Sequence, residues 1–257
     1  MLGIPIGIVL LIFVIDWVCE YLDSSLGGGY GTLMTPILLL FGFNLLQIVP
    51  AILISELVSG LVGGYAHHKF RNVNFSFKSH HSKIALCLII SSIVGSILGV
   101  YGMKIIPKYY IKLYIGILVL IIGISILIFR KVNFKFYWFK ISSLGTIAAF
   151  NKGLMGGGYG PLIAGGQLLS GIESKNAVGI TTLSEGIVCI LGTILYLFTF
   201  KNLDLRLAPI LVISSFIIAP LAAFGVKKIS SSKLKILMGL LTIILGGFTL
   251  FNTIIKG

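Results

Sequence analysis

Apolar and polar positions follow one another along this chain in long blocks, with apolar runs separated by short polar segments. Many runs approach the ~20 apolar residues that a helix needs to cross a bilayer. This pattern predicts an all-α, polytopic helical membrane protein. The runs form five segments in each half, which are residues 3–24, 29–43, 45–66, 84–103 and 110–129, then 137–154, 158–170, 173–199, 207–226 and 234–254.

The two halves repeat the same polar motif inside apolar sequence. In the first half it begins with residues 27–31 (GGGYG) and ends in Ser55-Glu56. In the second half it begins with residues 156–160 (GGGYG) and ends in Ser184-Glu185, at a constant offset of 129 residues. The last segments align at an offset of 123. We therefore predict a transmembrane repeat at residues 1–130 and a second at 131–257, within one integral membrane domain.

Composition excludes several classes of protein. Only 11% of the residues are charged and 57% are hydrophobic, whereas soluble domains carry about 25% charged residues. The net charge of +13 comes from cations in short loops, which is typical of topology signals and contact with anionic lipid. Nucleic acid is therefore not an expected partner. The three cysteines are scattered in apolar runs, where they are best explained as small buried hydrophobic residues, and no cofactor or metal is predicted.

Loop charges indicate how the repeats are oriented. With an odd number of crossings per repeat, the second repeat is inverted and the loop cations divide twelve to six between the two sides; with an even number they divide eleven to seven. The positive-inside rule favours the larger bias, hence inverted repeats in the cell membrane with both termini outside. The twelve are Lys69, Arg71, Lys78, Lys83, Arg130, Lys131, Lys135, Lys140, Lys227, Lys228, Lys233 and Lys235, and the six are Lys104, Lys108, Lys112, Lys201, Arg206 and Lys256.

The segment after each glycine run is short. From Tyr30 to Phe43 there are 14 residues, or about 21 Å of helix, against about 30 Å of hydrocarbon. Either the glycines form part of a full span, or the first two segments make a hairpin that turns back inside the membrane. Both options keep an odd number of crossings and place the glycine break at depth, where unwound backbone must line a cavity or be buried in protein.

The glycine breaks have the chemistry of an anion site. Consecutive glycines permit positive φ and close approach of a ligand, and the helix restarting at each tyrosine directs free amides and its positive end at the break. Duplicated glycines that only pack helices together are the alternative. The substrate-binding residues predicted from this pattern, together with Lys152, are Gly27, Gly28, Gly29, Tyr30, Gly31, Gly156, Gly157, Gly158, Tyr159 and Gly160.

These motifs resemble a known family. GGGYGTLMTP (27–36) and MGGGYGPL (155–162) look like the paired signatures of the sulfite exporter TauE/SafE family, and residues 176–183 resemble its second signature. The second copy has Gly165 where the first has Pro36, which is a departure from the family pattern. The resemblance covers essentially the whole chain. It implies a multi-span permease for small sulfur-containing anions such as sulfite, thiosulfate or sulfonates.

Several ionisable residues lie at membrane depth, where they are costly and usually functional. Glu56 and Glu185, with the neighbouring Ser55 and Ser184, are candidates for proton coupling or for organising the site; structural hydrogen bonds between helices are the alternative. Asp16, Glu20 and Asp23 are spaced i, i+4 and i+7 and so share one helix face. They could line a vestibule or a proton path, and a water-exposed helix end is the alternative.

Opposite charges precede the two glycine breaks, because Lys152 stands at the position that corresponds to Asp23. If the repeats face each other, Lys152 could contact the substrate anion or pair with Asp23. A lysine that snorkels toward the interface is the alternative.

Two other classes of function are compatible with parts of the sequence. His67, His68, His80 and His81 could serve a membrane-embedded metal-dependent hydrolase, but they lack HExxH spacing and fall in a basic segment read as a solvated loop. An anion channel could use the same duplicated half-helices. The sequence therefore predicts a non-enzymatic secondary transporter for a small anionic substrate, with proton coupling as one option and with a homo-oligomer compatible with the pattern.

Overall fold

The fold is built from ten helices in the described part of the chain, seen in a computed structural model that describes residues 6–129, 132, 135–201 and 203–256. The boundary predicted between the repeats, and Arg130 and Lys131 of the charge census, lie outside these residues. The helices are α1 (Ile6–Leu26), α2 (Tyr30–Leu40), α3 (Leu45–Lys69), α4 (His80–Ile105), α5 (Lys108–Ile128), α6 (Trp138–Met155), α7 (Tyr159–Leu168), α8 (Ser174–Thr199), α9 (Ala208–Lys228) and α10 (Ser231–Lys256).

Each predicted segment corresponds to one of these helices, with ends displaced by a few residues. Local capping explains some of the boundaries. Asn44 forms a capping box with Gln47 at the start of α3, and Ser79 caps α4 by accepting a hydrogen bond from the Ser82 amide. Such side chains satisfy amides that the first turn of a helix leaves free.

Among the described residues, six helices are long and apolar enough to cross a membrane: α3, α4, α5, α8, α9 and α10. Their outer faces carry exposed apolar side chains, among them Ile90, Leu98, Ile121 and Ile244. Such an apolar exterior suits contact with lipid tails. The helices that follow the glycine breaks, α2 and α7, are largely buried, and the preceding helices α1 and α6 contribute the buried charged groups Asp16, Glu20, Asp23 and Lys152.

The glycine runs are the turns of hairpins. Later residues of α1 contact later residues of α9, as Glu20 does with Ser215 and Tyr21 with Gly225. The same holds for α3, where Ser55 contacts Ser215 and Gly63 contacts Ala219. Because α1 and α3 both run parallel to α9, α2 between them runs the other way. The 11-residue α2 thus turns back from the glycine break. At about 17 Å it is shorter than the hydrocarbon core, which favours the hairpin over a full span.

Corresponding helices of the two halves run antiparallel where they meet. On α5 and α10, Gly116 approaches Leu250 whereas Gly123 approaches Ile243. On α3 and α8, Gly60 packs on Gly186 while Leu53 lies near Gly192. Helices of one half also pack on helices of the other half, α4 on α6 and α1 on α9. Inverted repeats require this antiparallel arrangement of corresponding helices, which therefore supports the inverted-repeat interpretation.

The histidines differ from the sequence prediction. They were placed in a solvated loop, but α3 extends to Lys69 and α4 begins at His80, so the histidines occupy helix ends. His67 is fully buried, with its Nε2 3.0 Å from the Ser24 carbonyl oxygen and its Nδ1 3.1 Å from Asn72 Nδ2. Apolar runs locate a helix centre well, but polar residues of a last turn resemble loop sequence, which explains the error.

The connection before α9 is tied to the start of α3. The side-chain amide of Gln47 donates to Asp204 at 2.8 Å, and the Arg206 guanidinium binds the same carboxylate. Hydrogen bonds from Arg206 and Gln47 hold the pKa of Asp204 well below its usual range. The carboxylate therefore stays ionised at neutral pH and links the α8–α9 connection to the N-terminus of α3.

Candidate functional site

The two glycine breaks cross each other in the centre of the bundle. A Cβ atom on Gly28 would collide with the backbone of Gly160 and lie 2.6 Å from the Pro161 nitrogen. A Cβ on Gly31 would collide with Gly156 and lie 3.0 Å from the Gly157 Cα. The two contacts are equivalent, because Gly28 and Gly160 correspond in the repeat to Gly157 and Gly31. Backbone meets backbone here, so the packing role that the sequence left as an alternative is real.

Positive φ angles add to the need for glycine at the breaks. Gly28 and Gly29 both have φ of 133°, and Gly156 and Gly158 have φ of 72° and 82°. Only glycine adopts such angles without strain. The breaks are thus fixed by conformation as well as by space.

Helix-start amides at the breaks have protein partners. The Tyr30 amide donates to Asp23 Oδ1 at 2.9 Å, and the Gly158 amide donates to Thr32 Oγ1 at 3.1 Å. The sequence predicts that amides at both helix starts are free to bind an anion. The amides of Tyr30 and Gly158 are not free, because each already donates to a protein side chain. Asp23 acts as the anion at the start of α2, where the positive helix end favours it.

Lys152 joins two carboxylates from the central helices of both repeats. Its Nζ donates to Glu185 Oε1 at 2.6 Å and to Glu56 Oε2. The lysine side chain is 2% exposed, which excludes the snorkelling alternative. The expected direct pair with Asp23 is not the contact that forms; Asp23 instead binds the Tyr30 amide. The two glutamates, matched in sequence, thus share one cation.

The tyrosines and serines of the repeat form a buried hydroxyl scaffold. Tyr30 donates to Asp16 Oδ1 at 2.5 Å and lies 3.3 Å from Ser55 Oγ. In the other half, Tyr159 lies 3.5 Å from Ser92, and Ser184 donates to a backbone carbonyl in its own helix.

The acidic face of α1 is also internal. Asp16 and Glu20 are fully buried and Asp23 is 6% exposed. The interpretation of these acids as a water-exposed helix end is therefore wrong. They lie against α9 and the break, and sequence reasoning failed because charged residues near the end of an apolar run usually mark its exit from the membrane.

A cavity of about 60 Å³ begins at the crossing and extends between α2, α5 and α10. Of the predicted site residues, Gly31 and Gly157 line it. Its walls are largely apolar, and the polar side chains among them come from α2, the first turns of α5 and the last turns of α10. The polar residues lining it are Thr32, Thr35, Lys112, Thr249, Asn252 and Thr253.

Sequence reasoning missed most of this cavity. Lys112 was counted only as a topology signal, and the three polar residues of α10 were not singled out. A signal did exist, because Thr249 and Thr253 are spaced i, i+4 on one face of an otherwise apolar helix. What the sequence lacked was the contact between α5 and α10, which brings that face to the glycine break.

Comparison with known proteins bears on this arrangement of broken helices around a small cavity. The profile described as "Sulfite exporter TauE/SafE" matches residues 8–249. The chain belongs to this family. It is also similar to a probable membrane transporter protein, YtnM, of Bacillus subtilis (strain 168), with 28% identity over 246 residues, covering 91% of this chain and 79% of that protein.

Membership has direct consequences for the sequence predictions. The resemblance noted from the GGGYG motifs is confirmed over most of the chain. The protein is a membrane transporter of the TauE/SafE family, and its all-helical structure with six apolar helices of spanning length agrees with an integral membrane protein. The substrate, the driving ion and the orientation in the membrane are subjects of the proposal that follows.

Proposed function

We propose that this TauE/SafE protein is a secondary transporter of the cell membrane that moves a small sulfur oxyanion, such as sulfite, thiosulfate or a small sulfonate. The observation that carries this proposal is the cavity at the crossing of the two glycine breaks, whose polar lining includes Thr32, Asn252 and Lys112. Family membership gives transport as the activity. The chemistry of the cavity supports a small anion as the substrate.

The cavity favours a compact anion. Its volume of about 60 Å³ leaves little room for a bulky organic molecule. The Thr32 hydroxyl, which accepts from the Gly158 amide and keeps its own proton, and the Asn252 amide can donate to the oxygens of one oxyanion, whereas Thr35, Thr249 and Thr253 donate to backbone carbonyls. The Lys112 ammonium supplies the opposite charge. The glycine backbone at Gly31 and Gly157 lets such an anion approach without meeting a side chain.

The asymmetry of the two halves fits alternating access. Thr32 and Thr35 of the cavity correspond to Pro161 and Ala164 in the second half. At that equivalent place, a Cβ on Gly27 would lie 2.9 Å from the Ala164 Cβ, so the packing there is tight. With inverted repeats, the cavity beside Thr32 and Thr35 and the closely packed region around Gly27 and Ala164 face opposite membrane surfaces. The proposed orientation places the Lys112 side and both termini outside.

Buried acids favour coupling to a cation. Glu56 and Glu185 share one lysine, and three further carboxyls lie in α1. An anion close to ionised carboxylates is repelled, so proton uptake with the anion offers a way to bring both into the interior. In this proposal Lys152, Ser55 and Ser184 organise the centre, and the activity is transport rather than catalysis.

A reconstituted uptake assay tests the proposal. Purified full-length protein in liposomes is expected to take up one or more of sulfite, thiosulfate, sulfate and methanesulfonate, with saturation and counterflow. Anion current that is driven by voltage and does not saturate would indicate the channel alternative. Failure to move any of the four anions, with folded protein present in the membrane, would contradict the proposed substrate class.

Replacing Lys112 with glutamine is expected to weaken anion affinity about tenfold, the loss typical of one charge-assisted hydrogen bond. The measurement is the concentration of half-maximal uptake for the transported anion. The matched control is Lys104→Gln, which removes an exposed cation that does not line the cavity, although it is predicted on the same membrane side. Equal affinity in the Lys112 variant and the control would remove Lys112 from the substrate path.

A further inference from the structure

A continuous chain of hydroxyl groups links two buried carboxyls between α1, α3 and α9. From Asp16 it passes through Tyr30 and Ser55 to Ser215, which donates to Glu20 Oε2 at 2.9 Å. The Ser55 and Ser215 oxygens are 2.5 Å apart. The residues of this chain do not belong to the lining of the cavity between α2, α5 and α10.

Two buried oxygen atoms beside this chain have no hydrogen-bond partner among the described residues. They are Asp16 Oδ2 and Ser214 Oγ, on side chains that are both fully buried. Ser214 lies within hydrogen-bonding reach of the Asp16 carboxyl, so a small rotation lets its hydroxyl donate to that carboxyl. Asp16 is then surrounded by the hydroxyl groups of Tyr30 and Ser214.

The other repeat contains the same scaffold without the acids. Its tyrosine and serines, Tyr159, Ser184 and Ser92, correspond to Tyr30, Ser55 and Ser215. In place of Asp16 and Glu20 it has Gly145 and Ala149. There α6 packs directly on α4, and a Cβ on Gly145 would collide with Ser91, the counterpart of Ser214. The scaffold therefore folds without carboxyls, and the acids in the first repeat call for another explanation.

Neither carboxyl has a cationic partner in the part of the chain that the structure describes, where the buried ion pairs use Glu56, Glu185 and Lys152. The helix α9 presents only serine hydroxyls to the pair. Leaving two buried carboxylates uncompensated is unfavourable, and a proton removes the charge at the smallest cost in space. The titratable groups nearby are Cys19 and Asp23 on α1, Tyr30 on α2 and, beyond Ser24, His67 on α3.

We propose that Asp16 and Glu20 form the proton-binding site of this transporter, with Ser214 as a further hydrogen-bond partner, distinct from the anion cavity. The proposal rests on the proposed transport function for its role, although proton binding itself can be measured without transport. The hydroxyl chain lets one proton pass between the two carboxyls, each hydroxyl accepting a proton from one neighbour and giving its own to the next. A proton bound with the anion compensates the charge that the anion brings.

The test combines proton binding with coupled transport. In reconstituted wild type, infrared difference spectra across a pH step are expected to show a protonated-carboxyl band, which Glu20→Gln and Asp16→Asn each diminish. Thiosulfate and methanesulfonate, which stay ionised near neutral pH, are the transport probes. Under a gradient of about one pH unit, wild type can concentrate a singly charged anion by up to about tenfold. Both variants are expected to lose this accumulation and to keep anion exchange.

Controls separate this site from folding and from the transport proposal. Glu173→Gln removes an exposed carboxyl elsewhere and is expected to keep both the band and the accumulation, and Ser214→Ala, which leaves both acids in place, checks folding of the site. Unchanged band and accumulation in Glu20→Gln and Asp16→Asn would overturn the proposal, as would accumulation driven by sodium in place of protons. Loss of the band in a protein that moves neither anion would support the proton site and contradict the proposed substrates.

Discussion

Replacing Gly28 with alanine is expected to destabilise the folded protein by about 3 kcal/mol or more, among the largest effects of any single methyl group in this chain. The added Cβ would collide with the backbone of Gly160, and φ of 133° is unfavourable for alanine. Backbone atoms cannot move aside as a flexible side chain can, so the crossing itself must separate. The measurement is the thermal-unfolding midpoint of the purified protein, with anion uptake measured in parallel.

Other glycines of the chain separate the two causes. Gly31 has no positive φ but faces Gly156 at the crossing, so Gly31→Ala tests the collision alone. Gly42 has φ of 88° and nothing near its Cβ position, so Gly42→Ala tests the angle alone. Gly247 has neither constraint and is helical. We expect the loss of stability to fall in the order Gly28, Gly31, Gly42, with Gly247→Ala neutral or stabilising.

A different order would change the interpretation of the breaks. If Gly31→Ala were as mild as Gly247→Ala, the two breaks would not cross in contact. If both crossing variants folded normally and lost only uptake, the glycines would serve the anion directly and packing would be secondary. The sequence alone left packing and binding as alternatives; the contacts indicate that one set of glycines does both, because Gly31 and Gly157 belong to the crossing and also to the cavity wall.

The helices could be predicted from the sequence because each depends on a local property. An apolar run of sufficient length specifies a membrane helix, and the glycines at 27–29 and 156–158 interrupt two such runs. The repeat could be predicted for the same reason, since matching residues are visible in one dimension. The errors arose near helix ends, where His67 and Asp23 look exposed although tertiary contacts bury them.

The partners of the site could not be predicted in the same way. Lys152 and Glu56 are separated by 96 residues, and their meeting depends on how the helices of one repeat pack against those of the other. Lys112 joins the cavity only because α5 lies beside α2 and α10. Sequence periodicity says which face of a helix is polar, but it does not say which other polar face it will meet.

Replacing Lys152 with methionine is expected to destabilise the protein by about 3–5 kcal/mol, the usual cost of breaking a buried ion pair by removing one partner. Glu56 and Glu185 would then face each other in the interior without a cation. Methionine keeps much of the length of the lysine side chain, so the loss reports charge more than volume. The thermal-unfolding midpoint is the measurement, and anion uptake is expected to fall with it.

Removing the two carboxylates distinguishes charge compensation from packing at this centre. Glu56→Gln or Glu185→Gln alone leaves one carboxylate for Lys152, so each should cost about 1–3 kcal/mol, less than Lys152→Met. The triple variant, with methionine at 152 and glutamine at both glutamates, should recover most of the lost stability, because a buried ion cluster replaced as a whole costs little. Recovery of stability without recovery of uptake would show that the cluster serves transport, since the fold would then be intact without it. A triple variant as unstable as Lys152→Met would instead show that the lysine supports the fold through packing, and that the two repeats are not held together by their shared cation.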